Sequence, residues 1–139
     1  NYQLFMDSVY REIAFQSESE TNTRDFLAMF GIEHLAERHP FSLSEGQKRL
    51  VTIAAIAAMK PRVLLLDEPT VGQDYRGLSR LIEALAEMHR RYQTSVIVVT
   101  HDFRAADALG DRVVWLAEGA IRADGDHGLV GTYFTRLLT

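Results

Sequence analysis

The sequence contains no cysteine. That excludes a disulfide framework and a thiolate metal site, and it suits a reducing compartment. No apolar run approaches the ~18 residues that a membrane-spanning helix needs. The longest, Ile53 to Met59, is short and alanine-rich. Positive charge is scarce as well. Lys and Arg number 15 against 19 Asp and Glu, a formal net charge of −4. A nucleic-acid binder would carry a basic excess, so none is expected as a partner. Low-complexity stretches and internal repeats are lacking, and 47% hydrophobic with 24% charged residues is ordinary for a globular chain,. His34, His39, His89 and His127 have no metal-ligand spacing. An initiator methionine is missing too. The chain opens on Asn1, and we expect it to begin partway into a longer protein. Its 139 residues are one domain's length, and a chain of that size buries about 68–70% of its unfolded surface.

What is present falls into two rhythms. Residues 1–60 read as a polar, helical part. Asp7 is placed to cap a helix through Phe15, and Thr23 a second through Phe30, with a polar loop between them and Gly31 as the stop,. Ser44 opens a long helix to Met59 that Lys60-Pro61 ends. Residues 61–139 alternate strands and helices. Val63 to Leu66 and Ser95 to Thr100 read as buried parallel strands. Asp74 caps a helix carrying Leu78, Leu81, Ile82, Leu85 and Met88 on one face. Asp102 caps another that Gly110 ends. Arg112 to Leu116 and Ala120 to Ala123 form strands joined at Glu118-Gly119, and Leu129 to Leu138 reads as a last helix,. The pattern implies an α/β fold with a mostly parallel sheet and a helical segment ahead of it.

Three constellations could carry chemistry. Asp67 and Glu68 end the first apolar strand, where open α/β sheets bind ligands. One carboxylate can face a hydrated Mg²⁺ and the other a water, or both can be solvated strand-end charges. Leu43-Ser44-Glu45-Gly46-Gln47 opens the long helix. Its free N–H groups suit an anion, and Ser44 with Gln47 also reads as a plain capping box. His101 ends the second strand, on the same sheet edge as the carboxylates. It can bond a phosphate or a water, or simply partner Asp102. The loop Thr70 to Asp74 and Gln3 are bland in isolation. Lys48, Arg49, Arg90 and Arg91 read as solvated helix faces.

Taken in order, these features resemble the nucleotide-binding domain of the ABC ATPase family. Gln3 matches the Q-loop glutamine, and Leu43 to Gln47 resembles the signature, with Glu45 in place of a usual glycine. Val63 to Glu68 matches Walker B with its catalytic glutamate, Asp74 the D-loop aspartate, and His101 the switch histidine. The resemblance implies a P-loop NTPase-like sheet core over residues 61–139 and an ABC helical subdomain over residues 1–60. It also implies ATP and Mg²⁺ as ligands. Glu68, His101 and Gln3 would be catalytic, Asp67 and Gln3 would hold Mg²⁺ largely through water, and Leu43, Ser44, Glu45, Gly46, Gln47, Asp67 and Asp74 would contact nucleotide. A second ATPase subunit packed head to tail and transmembrane subunits are the implied partners, at the cytoplasmic face of the membrane.

One family motif is lacking. No glycine begins a Gly-x-x-x-x-Gly-Lys-Ser/Thr loop, so the P-loop that cradles phosphates is expected ahead of Asn1. These residues alone are then expected to be inactive. They are also expected to be poorly soluble or paired with another chain, because the strand ending at His101 would have an open edge. The short span from Gln3 to Leu43 leaves no room for a long coiled coil, which implies a transporter-type member. The run Gln3-Leu4-Phe5 and the segment Val9 to Phe15 are similar to energy-coupling-factor and cobalt-type importers, implying uptake of a vitamin or metal ion. A non-transport ABC ATPase, or a pairing module without a P-loop, stands as the alternative.

Overall fold

The computed structural model describes residues 4–126 together with Gly128 and Gly131. Gln3 and the helix expected over Leu129 to Leu138 lie outside the described residues.

Three helices form the first part: α1 (Val9–Gln16), α2 (Glu20–Met29) and α3 (Glu45–Ala57), with two short 3-10 turns between α2 and α3. The caps of the first two helices differ from expectation. Ser8, not Asp7, caps α1, its hydroxyl accepting the Arg11 N–H at 3.3 Å, while Asp7 pairs with the Arg11 side chain at 2.8 Å. Ser19, not Thr23, caps α2 by accepting the Asn22 N–H at 3.2 Å. Thr23 is buried one turn inside, its hydroxyl donating back to the Ser19 carbonyl at 3.0 Å. The polar loop is therefore shorter than expected, because Ser19 already adopts the extended backbone of a cap,. Ser44 caps α3 as expected.

The second part runs β1 (Val63–Asp67), α4 (Tyr75–Tyr92), β2 (Ser95–Val99), α5 (Phe103–Leu109), β3 (Val113–Ala117) and β4 (Ala120–Gly125). Strands β1 and β2 pair in parallel, Asp67 opposite Val99. Strands β3 and β4 form a separate antiparallel hairpin. The turn between them has positive φ at both Glu118 and Gly119, 51° and 73°, which matches the twist of the flanking strands,. Asp74 and Asp102 cap α4 and α5 as expected.

A single apolar core joins α1 through α4 to β1. Phe26, Phe30, Ile13, Val51, Leu81, Leu85 and Met88 are fully enclosed. Two buried polar side chains are satisfied: Asn22 donates to the Ala58 carbonyl at 3.2 Å, and Thr94 to the Pro61 carbonyl at 2.8 Å. The two parallel strands depart from expectation. They are covered on one face rather than both. Leu64 and Leu66 point into the core, whereas Val63, Leu65, Ile97 and Val99 are more than half exposed on the other face. Helices α3 and α4 lie in the core on the covered side only, and strand side chains alternate between faces,.

Arg91 is not a merely solvated cation. Its guanidinium forms two bonds to Asp25, at 3.1 and 2.7 Å, and lies over the Tyr92 ring, joining α2 to α4. Arg90 is exposed and paired with Glu87 on its own helix.

Candidate functional site

The carboxyl ends of β1 and β2 bring three of the expected residues together. The parallel pairing continues one residue past β1, with the Glu68 N–H donating to the Val99 carbonyl at 2.8 Å. Glu68 then turns out of the strand with φ at 45°, a left-handed backbone that non-glycine residues adopt at a cost of about 1–3 kcal/mol,. Strain of this kind persists where the surroundings hold it. Here the turn is closed by the Val71 N–H donating to the Glu68 carbonyl at 3.3 Å.

The Glu68 carboxylate meets His101, with Nδ1 2.7 Å from Oε1. Thr100 donates its hydroxyl to the other oxygen at 3.4 Å and receives the Asp102 N–H at 3.0 Å. The His101 imidazole is exposed, and its pKa is raised above the ordinary histidine value, first by this hydrogen bond and then by the Glu68 charge. Asp102, which caps α5, lies low in the carboxylate range because Arg104 donates to it. Asp67 is exposed at the strand end, and its carboxylate has no hydrogen-bonding or ionic partner among the described residues.

The start of α3 is the second part of the site. Ser44 and Gln47 form a reciprocal capping box: the Ser44 N–H donates to Gln47 Oε1 at 3.0 Å, and the Gln47 N–H to the Ser44 hydroxyl at 3.3 Å. Leu43 is buried, and Glu45 pairs with Lys48 at 2.8 Å. Gly46 is enclosed by the loop after Glu68. A side chain there would put Cβ 2.6 Å from the Gly72 carbonyl oxygen. The opening of α3 thus packs on the loop that ends at Asp74, whose carboxylate accepts the Gly77 N–H at 2.7 Å.

Sequence reasoning missed three participants. Arg49, read there as a solvated cation, is half-buried and donates to the Glu68 carbonyl. Gln73 donates its carboxamide to the Gly46 carbonyl at 2.9 Å. Glu12, buried in α1, accepts the N–H groups of Phe5 and Met6 at 2.9 and 2.8 Å, fixing the segment that follows Gln3. Only Glu12 carries a readable signal, an acid at a position where the apolar face of α1 is continuous.

No group of three or more His, Cys, Asp or Glu side chains forms a metal cage among the described residues. The donor set is one free carboxylate, Asp67, beside a second one. That fits Mg²⁺, which keeps its waters and is held through one or two carboxylates together with substrate phosphates.

Comparison with known proteins bears on the family and the fold. A family model described as "AAA domain, putative AbiEii toxin, Type IV TA system" matches residues 3–104. The energy-coupling factor transporter ATP-binding protein EcfA2 of Bacillus subtilis is 38% identical over 133 residues, covering 89% of this chain and 48% of EcfA2. The structure of cbiO1 from Clostridium perfringens, described as part of the ABC transporter complex cbiONQ, superposes with a TM-score of 0.79 at 34% identity. The match covers 98% of this chain and 57% of cbiO1. The dimeric structure of MJ0796, a bacterial ABC transporter cassette, gives a TM-score of 0.71 at 26% identity, over 86% of this chain and 54% of that one. The chain spans about half the length of the curated relatives it matches.

Proposed function

The chain belongs to the family of that AAA-domain model and is of the ABC ATPase type, and from this we propose that it is part of an ATP-binding subunit driving transport across a membrane. The transported substrate is a vitamin or a metal ion, taken up by an importer of the energy-coupling-factor kind. The observation that carries the reading is the 2.7 Å contact between His101 and Glu68 at the carboxyl end of two parallel strands. EcfA2 and cbiO1 support it by name. Both are ATP-binding or ABC transporter components.

Glu68 is the group that orients and polarises the attacking water. His101, adjacent to it and exposed, steadies the γ-phosphate and holds Glu68 in place through Nδ1,. Asp67 would hold Mg²⁺, largely through water. When bound, that ion offsets the charge on the transferring phosphate oxygens. Gln3 would contact Mg²⁺ or water, and Glu12 fixes the described segment that follows it. Ser44, Glu45, Gly46 and Gln47, supported by Leu43, present the N-terminus of α3 to the γ-phosphate bound by a partner subunit. Asp74 links the two sites. The helical part, residues 1–60, docks on transmembrane subunits, and the α/β core, residues 61–139, carries the chemistry. No described helix is long and apolar enough to cross a membrane. The subunit works as a peripheral cytoplasmic partner of membrane proteins, paired head to tail with a second ATPase subunit. The sequence holds no P-loop motif, so residues 1–139 alone bind no phosphate in the family's manner and hydrolyse no ATP.

Substituting Glu68→Gln in the full-length protein removes the water's acceptor charge but keeps its shape. Turnover is expected to stop while ATP still binds, read by steady-state phosphate release and by nucleotide binding. Hydrolysis at the wild-type rate would remove Glu68 from its role.

A further inference from the structure

The two parts of the site are fastened together within the chain by residues that the proposed reaction does not use. Arg49, in the second turn of α3, donates Nη1 to the Glu68 backbone carbonyl. That carbonyl also closes the Glu68–Val71 turn. It belongs to the residue whose backbone is left-handed, with φ at 45°, so the direction of the carboxylate depends on how this peptide is held. The guanidinium is half-buried and has a neutral carbonyl as its partner, with no carboxylate paired to it among the described residues. A second tie lies at the other end of the same loop. Gln73 Nε2 donates to the Gly46 carbonyl at 2.9 Å, and the Gly72 carbonyl fills the place of a Gly46 side chain. The loop from Glu68 to Asp74 is thus pinned at both ends to the first two turns of α3.

We propose that Arg49 is a positioning residue for the Glu68 carboxylate, and that through it the opening of α3 and the loop 68–74 shift as one body. Resting on the function proposed above, this makes one chain's grip on its partner's γ-phosphate, through Ser44, Gly46 and Gln47, felt at its own Glu68. A phosphate seated at one site is then reported to the carboxylate of the other through the Arg49–carbonyl bond, with the Gln73–Gly46 bond holding the far end of the loop.

The test compares Arg49→Met and Arg49→Lys with wild type in the full-length protein assembled with its partner subunits, and includes Glu68→Gln as a control. Arg49→Met is expected to lower kcat about 10- to 100-fold, as misplacement of a reacting group does. KM for ATP should stay within about twofold and the thermal midpoint should hold, since nucleotide binding is left intact. Arg49→Lys, which can still donate to the carbonyl, recovers most of the rate. Amide exchange at Val71 and Gln73 accelerates in Arg49→Met, while β1 and α4 are unchanged. An unchanged kcat, a loss that follows a lowered thermal midpoint without recovery by Lys, or unchanged exchange would each overturn the proposal. Exchange reads the tie without ATP hydrolysis. A Glu68→Gln enzyme that still turns over therefore condemns the reaction scheme separately from the role of Arg49.

Discussion

At the scale of single residues, the pair His101 and Glu68 is where titration meets chemistry. The carboxylate favours the charged imidazole, so the folded protein holds that proton to a higher pH than the unfolded chain does,. The sign follows from linkage. The contribution to stability is fully present below the ordinary histidine value of 6.5 and is lost as pH rises through the raised folded value,. Because the ring is exposed, solvent screens the pair and the effect on stability is small. The titration itself is the sharper measure. An NMR titration should place the His101 midpoint above those of exposed model histidines, and Glu68→Gln should return it toward them. A midpoint that Glu68→Gln leaves in place would show that the contact is not the cause. Asp25 has the opposite sign. Arg91 lowers its pKa, so its contribution persists above the ordinary carboxylate value of 3.8 and is lost as pH falls through the lowered one,.

Between elements, the packing of α3 on the loop before α4 decides how the site is assembled. Gly46 lies in the first turn of a helix, where alanine would by propensity alone be better by up to about 1 kcal/mol. The Gly72 carbonyl reverses that sign. A Cβ 2.6 Å from a backbone oxygen cannot be relieved by a side-chain rotation. Overpacking of this kind costs about 1–3 kcal/mol. Gly46→Ala should therefore lower the denaturant midpoint of the full-length protein, and a raised midpoint would show that the loop yields freely. Glycine in this turn has two readings, close approach of a phosphate and close approach of the chain itself. The second is visible only after folding. The capping box of Ser44 and Gln47 was legible beforehand because its partners are three residues apart and the backbone brings them together on its own. The exchange of caps at Asp7 and Thr23 for Ser8 and Ser19 has a comparable local cause. Several cap-forming residues crowd each helix start, and core packing of Val9 and Thr23 chooses among them.

For the whole molecule, the bare face of the parallel pair is the dominant feature. Val63, Leu65, Ile97 and Val99 stand in two adjacent rows, each more than half exposed. Among the described residues, β1 and β2 pair only with each other, so an outer edge of each is open. Apolar faces and open edges together favour association. Residues 1–139 expressed alone are expected to form oligomers or aggregates, measured by light scattering on a sizing column. A monodisperse monomer would show that the face is tolerated in water. The same 139 residues are expected to release no phosphate from ATP, and robust Mg²⁺-dependent hydrolysis would overturn the reading that the missing P-loop is needed.

What the sequence determined by itself is local or periodic. Apolar spacing set the existence of α4, and the residues Ser44, Asp74 and Asp102 set three helix starts, because each satisfies N–H groups two or three positions away,. The order of motifs around them was enough to mark the family. What only the tertiary structure decided depends on residues far apart in the chain. Continuous apolar strands look the same whether one face is covered or two, so the exposure of Leu65 and Ile97 could not be read from their neighbours. The strand pattern already put His101 on the sheet edge of Glu68, 33 positions away, but Arg49 reaches across 19 positions to Glu68 and Gln73 across 27 to Gly46. No periodicity encodes such pairs. They exist because packing brings a helix start, a strand end and a loop to one place, where a cation finds a carbonyl and a carboxylate finds an imidazole.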